Sequence, residues 1–115
     1  MIPLWNALDR KFQVLYIYVI KCTAGVSRGP YLHKKRTGRI YLLSGAVEIT
    51  YRENGNKQFT KVILKEEEKQ TLVLDIPNMT EYTITAIKDS ILINLCNYPW
   101  NEFENETEKL NDSSL

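Results

Sequence analysis

Short segments of alternating apolar and polar residues, separated by turn residues, restrict the fold of this chain more than any other feature. In residues 46–52, Val47 and Ile49 fall on one face and Glu48 and Thr50 on the other, which is the two-residue period of a β-strand. The pair Asn54-Gly55 follows and suits the positive φ angles of a type I′ hairpin turn. The pattern therefore predicts an antiparallel return strand over residues 58–64.

Six further segments of this kind bring the prediction to about eight strands with no convincing amphipathic helix, which is typical of a sandwich or barrel. We predict an all-β fold, a single jelly-roll barrel with a short polar C-terminal tail. A chain of 115 residues is long enough for one such domain. We assign an N-terminal arm to residues 1–13, the barrel to 14–100, and a helical or disordered tail to 101–115. The additional predicted strands cover residues 14–22, 27–34, 39–44, 71–76, 82–88 and 91–96.

Charge and composition disfavour two classes of partner. Fifteen basic and 14 acidic residues leave a net charge of +1, so the basic excess of a nucleic-acid-binding domain is absent. The apolar run at residues 14–20 is too short to span a bilayer. Cys22 and Cys96 match neither a disulfide framework nor a metal-binding spacing, and we interpret them as buried thiols. We therefore predict a cytoplasmic protein without nucleic-acid or membrane partners.

The spacing of Gly25, Tyr31, His33, Gly38 and Gly45 resembles the first sequence motif of the cupins. In that motif a Gly is followed after five residues by His-x-His, then by a Glu and a closing Gly. Here the first His position holds tyrosine and the Glu position holds glycine. The resemblance implies a cupin fold.

Pro77 to Tyr82 matches the spacing of the second cupin motif, with Tyr82 in place of its histidine. Only His33 then remains among four potential ligands, and one imidazole cannot form a transition-metal site. We predict no metal and no other cofactor.

Within the cupins, the chain resembles the dTDP-4-dehydrorhamnose 3,5-epimerases and the dTDP-sugar 3,4-ketoisomerases. Residues 27–35 are similar to the Arg-Gly-x-His-x-His-Lys-Lys stretch of that group, and residues 41–49 and 95–100 to later parts of its barrel. The resemblance implies a metal-independent isomerase or epimerase that acts on a keto-deoxysugar nucleotide for surface polysaccharide synthesis.

The same resemblance implies roles for individual residues. His33 is the chain's single histidine and the base candidate, because imidazole titrates near neutral pH. Tyr31 and Tyr82 are acid or hydrogen-bond-donor candidates. The cationic candidates for substrate binding are Arg28, for the diphosphate or the enolate, together with Lys35 and Arg39.

Alternatives to the enzymatic function and to the phosphate site stay open at this point. The replacements at Tyr31, Gly38 and Tyr82 also fit a non-catalytic cupin that binds a small sugar-like ligand or a partner protein. Because the relatives pair through β-strands, we also predict a homodimer formed by the N-terminal strand, somewhere within residues 5–20. Lys34, Lys35 and Arg36 fit a solvated turn as well as a phosphate site.

Overall fold

The computed structural model describes residues 12–53, 55–67 and 72–98, together with the backbone of 107–109. Within these residues no helix is long and apolar enough to cross a membrane. The strands, in chain order, are β1 Tyr16–Cys22, β2 Ser27–His33, β3 Gly38–Ser44, β4 Ala46–Glu53, β5 Thr60–Lys65, β6 Val73–Ile76, β7 Thr80–Ala86, β8 Ser90–Cys96 and β9 Thr107–Lys109.

The strands form two antiparallel sheets. The four-stranded sheet has the order β1-β8-β3-β6, and the five-stranded sheet has the order β5-β4-β7-β2-β9. The all-β jelly-roll prediction is confirmed. The predicted closed barrel is replaced by a sandwich, because no strand of one sheet pairs with a strand of the other within the described residues.

Alternation of side chains explains where the core lies. In β4, Val47 and Ile49 are fully buried, and they pair with Ala86 and Ile84 of the neighbouring strand β7. Leu92 of β8 contributes to the same core from the opposite sheet. One face of each sheet is therefore apolar and packs against the other sheet, as in other sandwiches.

The predicted strand boundaries hold to within about two residues, as is usual for strand ends. The largest difference is in β7, which was predicted over residues 82–88. It begins at Thr80 and ends at Ala86, because Ile87–Asp89 already bends into β8. Met79, with a φ of 60°, makes the preceding turn.

The C-terminal tail differs from its prediction where it is described. Residues Thr107–Lys109 form β9, which pairs with Tyr31–His33 at the edge of the five-stranded sheet. The expected helix or disordered segment is therefore replaced at these three residues by a short strand. Residues 1–11 of the predicted arm, and the remainder of the tail, lie outside the described residues.

Candidate active site

A cavity of about 110 Å³ lies between the two sheets, bordered by β1 on one side and by β2 and β7 on the other. Unlike the aliphatic core, it is lined mainly by tyrosine, histidine and arginine. The lining residues are Tyr18, Ile20, Arg28, Tyr31, His33, Arg36, Tyr82 and Ile84.

A bulge in β2 lets Arg28 line this cavity together with Tyr31 and His33. Arg28 and Tyr31 are three positions apart, so a regular strand would point them to opposite faces. Their partners on β7 are Ile84 and Tyr82, which are only two positions apart, so β2 contains a bulge between them. Gly29 permits the bulge with a φ of 107°, and a Cβ atom there would lie 2.8 Å from the carbonyl oxygen of Tyr82.

His33 and Tyr82 form a buried hydrogen-bonded pair. The Nε2 atom of His33 lies 2.7 Å from the hydroxyl oxygen of Tyr82, and the two residues are 4 % and 3 % exposed. The ring of Tyr31 is tilted against that of Tyr82, with 5.9 Å between centroids. The structure thus places all three residues that were predicted to be catalytic in one cluster.

Arg36 extends this cluster toward the other sheet. It follows β2, and its Nη2 atom lies 2.9 Å from His33 Nε2 and 2.9 Å from the hydroxyl oxygen of Tyr18, to which it donates. The guanidinium carbon also lies 5.2 Å from the ring centroid of Tyr18 and 5.5 Å from that of Tyr16. Although it stands in a run of basic residues, Arg36 is only 6 % exposed.

Tyr18 receives a second hydrogen bond from the four-stranded sheet. Asn94 pairs with Tyr18 across β1 and β8, and its Nδ2 atom donates to the Tyr18 hydroxyl at 2.8 Å. Burial raises the pKa of Tyr18 to about 12, and the hydrogen bond from Asn94 partly opposes this rise. Tyr18 is therefore a neutral phenol whose oxygen is held by two donors.

Gly38 makes room for this arrangement. A Cβ atom at Gly38 would lie 2.6 Å from Oδ1 of Asn94 and 3.0 Å from its Nδ2. The glycine in the Glu position of the cupin motif thus has a structural reason here. Its missing side chain leaves the space that the Asn94 amide fills.

Burial also raises the pKa of Tyr82 well above its usual range, and the nearby Tyr18 hydroxyl adds to the rise. Tyr82 is consequently protonated at neutral pH and can donate its proton. Together, the cluster presents phenol hydroxyls, one imidazole and guanidinium N–H groups around a single small space. Such a set can bind a carbonyl or anionic oxygen and can move a proton over a short distance.

Two of the predicted substrate-binding residues lie elsewhere. Arg39 points to the outer face of the four-stranded sheet, where it forms two hydrogen bonds with Asp75 at 2.7 and 3.0 Å. Lys35 is exposed, and its Nζ atom lies 5.6 Å from the ring centroid of Tyr98. Neither residue lines the cavity.

The sequence reasoning missed Tyr18 and Arg36 as site residues. Tyr18 belongs to an apolar run that was interpreted only as a strand, and Arg36 to a basic run that fitted a solvated turn. One signal was available, because Asn94 is a buried amide that interrupts the apolar sequence from Ile91 to Leu95 in β8. A buried amide needs partners, and in the structure that partner is Tyr18.

The described side chains do not suit a transition metal. They contain no group of three or more His, Cys, Asp and Glu residues that could hold an ion. The positions that carry ligands in the cupin motifs hold Tyr31, Gly38 and Tyr82, and the imidazole of His33 already contacts Tyr82 and Arg36. Metal-free chemistry stays a prediction.

Comparison with protein families gives one match that covers nearly the whole chain. Residues 4–111 match the family model described as FdtA, WxcM-like, C-terminal. No curated protein sequence matches the chain.

Solved structures with the same fold include several sugar-nucleotide enzymes. A dTDP sugar isomerase from Desulfovibrio desulfuricans G20 is 16 % identical, with a TM-score of 0.77 over 89 % of this chain and 68 % of its own. QdtA, a sugar 3,4-ketoisomerase from Thermoanaerobacterium thermosaccharolyticum solved with TDP, is 18 % identical, with a TM-score of 0.71 over 89 % and 71 %.

A third neighbour is much longer than this chain. The capsular polysaccharide assembling protein CapF from Staphylococcus aureus is 20 % identical, with a TM-score of 0.72 over 82 % of this chain. The match covers only 27 % of CapF. At these identities the likeness establishes the fold.

Proposed function

The chain belongs to the family described as FdtA, WxcM-like, C-terminal, and on that premise we propose that it is a metal-independent isomerase or epimerase of a keto-deoxysugar nucleotide. The observation that carries the proposal is the buried pair of His33 and Tyr82 at the wall of the cavity. The epimerase and ketoisomerase names of several structural neighbours support the substrate class.

Both reactions begin with removal of a proton from the carbon next to a keto group. In the proposed step the Tyr82 oxygen takes this proton while its own hydroxyl proton passes to Nε2 of His33. The substrate is left as an enolate and His33 as an imidazolium. The reverse transfer then returns a proton to a carbon of the sugar. Acid–base assistance of this kind contributes about 10²–10⁴-fold to a rate.

The enolate oxygen needs hydrogen-bond donors, and the cavity offers two types. The Tyr18 hydroxyl stays protonated at neutral pH because burial raises its pKa to about 12. Arg28 lines the same cavity but is itself exposed, so its guanidinium reaches the mouth. We assign Arg28 to the diphosphate or the enolate, because a planar guanidinium pairs well with phosphate oxygens.

The positions of Tyr31, Lys35 and Arg39 limit the roles that these three residues can have. Tyr31 is retained as a donor on the cavity wall. Lys35 is exposed near the end of β2 and can contact a nucleotide that extends outward, whereas the pairing of Arg39 with Asp75 favours a structural role. Use of the product in surface polysaccharide synthesis is part of the proposal, supported by the name of CapF.

Exchange of substrate protons with solvent tests the proposal. We expect the protein, incubated with a dTDP-4-keto-6-deoxysugar in deuterated water, to replace ring protons next to the keto group, as followed by proton NMR. His33→Gln keeps a polar side chain of similar size but removes the base, and we expect it to abolish exchange. Thermal unfolding of the variant shows whether it is folded. No exchange by folded wild-type protein at high concentration would refute the enzymatic function.

One observation favours a second candidate, a non-catalytic module that binds a small ligand. The cavity of about 110 Å³ is smaller than the roughly 300–1,000 Å³ of typical ligand pockets. A sugar ring therefore requires the mouth to open. Binding of dTDP or the keto-sugar nucleotide, measured by calorimetry, without any deuterium exchange would favour the binding module.

We also propose that the chain forms a homodimer through β1. This strand is an edge of the four-stranded sheet, and its outward side chains Ile17 and Val19 are 54 % and 58 % exposed. An apolar edge strand readily pairs with another chain. Light scattering should give twice the chain mass at micromolar concentration, and Val19→Lys should give the monomer. A monomeric wild type would contradict this proposal.

A further inference from the structure

We propose that Arg36 is the positioning residue of the site, which holds His33 as a neutral imidazole protonated at Nδ1 and unprotonated at Nε2. This inference extends the proposed function, since it states how the proton-accepting atom of the His33–Tyr82 pair is kept ready. It concerns a side chain at a position that the first cupin motif leaves unspecified, between His33 and Gly38.

The argument begins with what a guanidinium can do. All its nitrogen-bound hydrogens are donors, it has no acceptor, and it stays charged in proteins. The Nη2 atom of Arg36 carries two hydrogens, and two oxygen or nitrogen neighbours lie 2.9 Å away, the Tyr18 hydroxyl and Nε2 of His33. One hydrogen therefore serves each neighbour.

The protonation of His33 follows from this geometry. If Nε2 carried a hydrogen, that hydrogen and one of Arg36 would face each other across 2.9 Å, and two donors cannot satisfy one another. Nε2 is therefore the acceptor, so the proton of the neutral ring is on Nδ1. With no hydrogen on Nε2, the Tyr82 hydroxyl is the donor in the 2.7 Å contact with that nitrogen, and it shares the single Nε2 lone pair with Arg36.

The surroundings of the ring work in the same direction. Among the groups that line the cavity, Arg28 and Arg36 are positively charged, whereas the Tyr18 and Tyr82 hydroxyls stay protonated because burial raises the pKa of each. An imidazolium formed during turnover would lie beside a fixed positive charge, which favours return of the proton. The charged and titratable lining groups are Arg28 and Tyr31 from β2, Tyr18 from β1, Tyr82 from β7, and Arg36 itself.

Because the chain has one histidine, the state of this ring can be measured directly. Nitrogen NMR of protein labelled with ¹⁵N-histidine gives a single imidazole spectrum, without substrate and independently of any activity. In the wild type near pH 7 we expect Nε2 at the shift of an unprotonated nitrogen and Nδ1 at that of a protonated one. Wild-type protein with its hydrogen on Nε2 would overturn the inference.

Substitution of Arg36 then tests its part in the arrangement. We expect Arg36→Met to move Nε2 upfield and Nδ1 downfield by tens of parts per million, because the Nε2–H form becomes accessible. Arg36→Lys retains a cationic donor and should keep most of the wild-type spectrum. Lys35→Met removes the neighbouring charge, which does not line the cavity, and should leave the spectrum unchanged.

An Arg36→Met spectrum equal to that of the wild type would show that Tyr82 alone sets the tautomer and would overturn the inference. If Arg36→Met does not fold, the wild-type spectrum by itself still tests the inference. A scalar coupling across the hydrogen bond between the Arg36 side-chain nitrogen and His33 Nε2 is expected, and its absence at low temperature would contradict the contact. Deuterium exchange tests the enzymatic function separately, so the two can fail independently.

Discussion

The two ends of the space between the sheets are built differently. One end is filled by aliphatic side chains such as Ile49, Leu64 and Leu92, all fully buried. The other end holds polar groups around a cavity, among them His33 and Arg36, which are 4 % and 6 % exposed. Strand β8 contributes to both ends, with Leu92 in the aliphatic set and Asn94 bonded to Tyr18 of the polar set.

This difference separates stability from function. Burying apolar surface stabilises the fold by about 25 cal/mol per Å². Burying an imidazole, a guanidinium and phenols stabilises it little, since their hydrogen bonds mainly compensate for lost water. We infer that the aliphatic end maintains the sandwich and that the polar end is kept for its chemistry. Substitutions at the two ends should therefore have distinct consequences.

The largest loss of stability is expected at the aliphatic end. Leu92→Ala leaves a cavity where the native side chain is completely buried, and such substitutions cost about 2–5 kcal/mol. Urea denaturation measures the loss. Because Leu92 does not line the polar cavity, the exchange rate per folded molecule should be unchanged. A Leu92→Ala variant that has normal stability but has lost exchange would contradict the distinction between the aliphatic and polar ends.

A smaller loss is expected where the polar end meets the backbone. Gly38→Ala places a methyl group 2.6 Å from Asn94 Oδ1, and overpacking of this kind costs about 1–3 kcal/mol. The displaced amide also loses its hydrogen bond to Tyr18, so exchange should fall as well. Denaturation and exchange are measured on the same sample. A stable variant with full exchange would show that Asn94 is not needed to hold Tyr18.

A still smaller effect should be confined to alkaline pH. The pKa of Tyr18 is about 12 in the folded protein, whereas an ordinary tyrosine has a pKa of 10.0. Above pH 10 the unfolded chain releases this proton and the folded chain keeps it. This contribution to the free energy of unfolding is therefore fully present below pH 10. As the pH rises toward 12, the free energy of unfolding decreases by about 1–2 kcal/mol.

Tyr18→Phe should remove this part of the pH dependence, as measured by denaturation at pH 9, 10 and 11. Tyr82 contributes in the same direction because burial also raises its pKa, so some slope will remain in the variant. Equal slopes in the wild type and Tyr18→Phe would contradict the burial of Tyr18 beside the cavity.

The sequence could predict part of both ends. Alternation in residues 46–52 and the Asn-Gly turn predicted β4 and its hairpin, because burial of one face imposes a two-residue period. The motif spacing placed His33, Tyr31 and Tyr82 together. These features are local or follow from a motif of fixed length.

The missed residues depend on long-range packing. Arg36 looks like part of a solvated basic run, and only the turn after β2 directs it back toward Tyr18. The bulge at Gly29 changes which side chains of β2 share a face, and no alternation pattern shows it. Tyr18 becomes a site residue through its contacts with Arg36 and Asn94, both distant from it in sequence.

Matched tyrosine substitutions test the central claim, that the polar end moves protons, most directly. Tyr82 and Tyr51 are directly paired on β7 and β4, but only Tyr82 lines the cavity and contacts His33. We measure deuterium incorporation into a dTDP-4-keto-6-deoxysugar by each phenylalanine variant. Tyr82→Phe should lower the exchange rate by about 10²–10⁴-fold, while Tyr51→Phe should match the wild type. Equal rates in both variants would contradict the account.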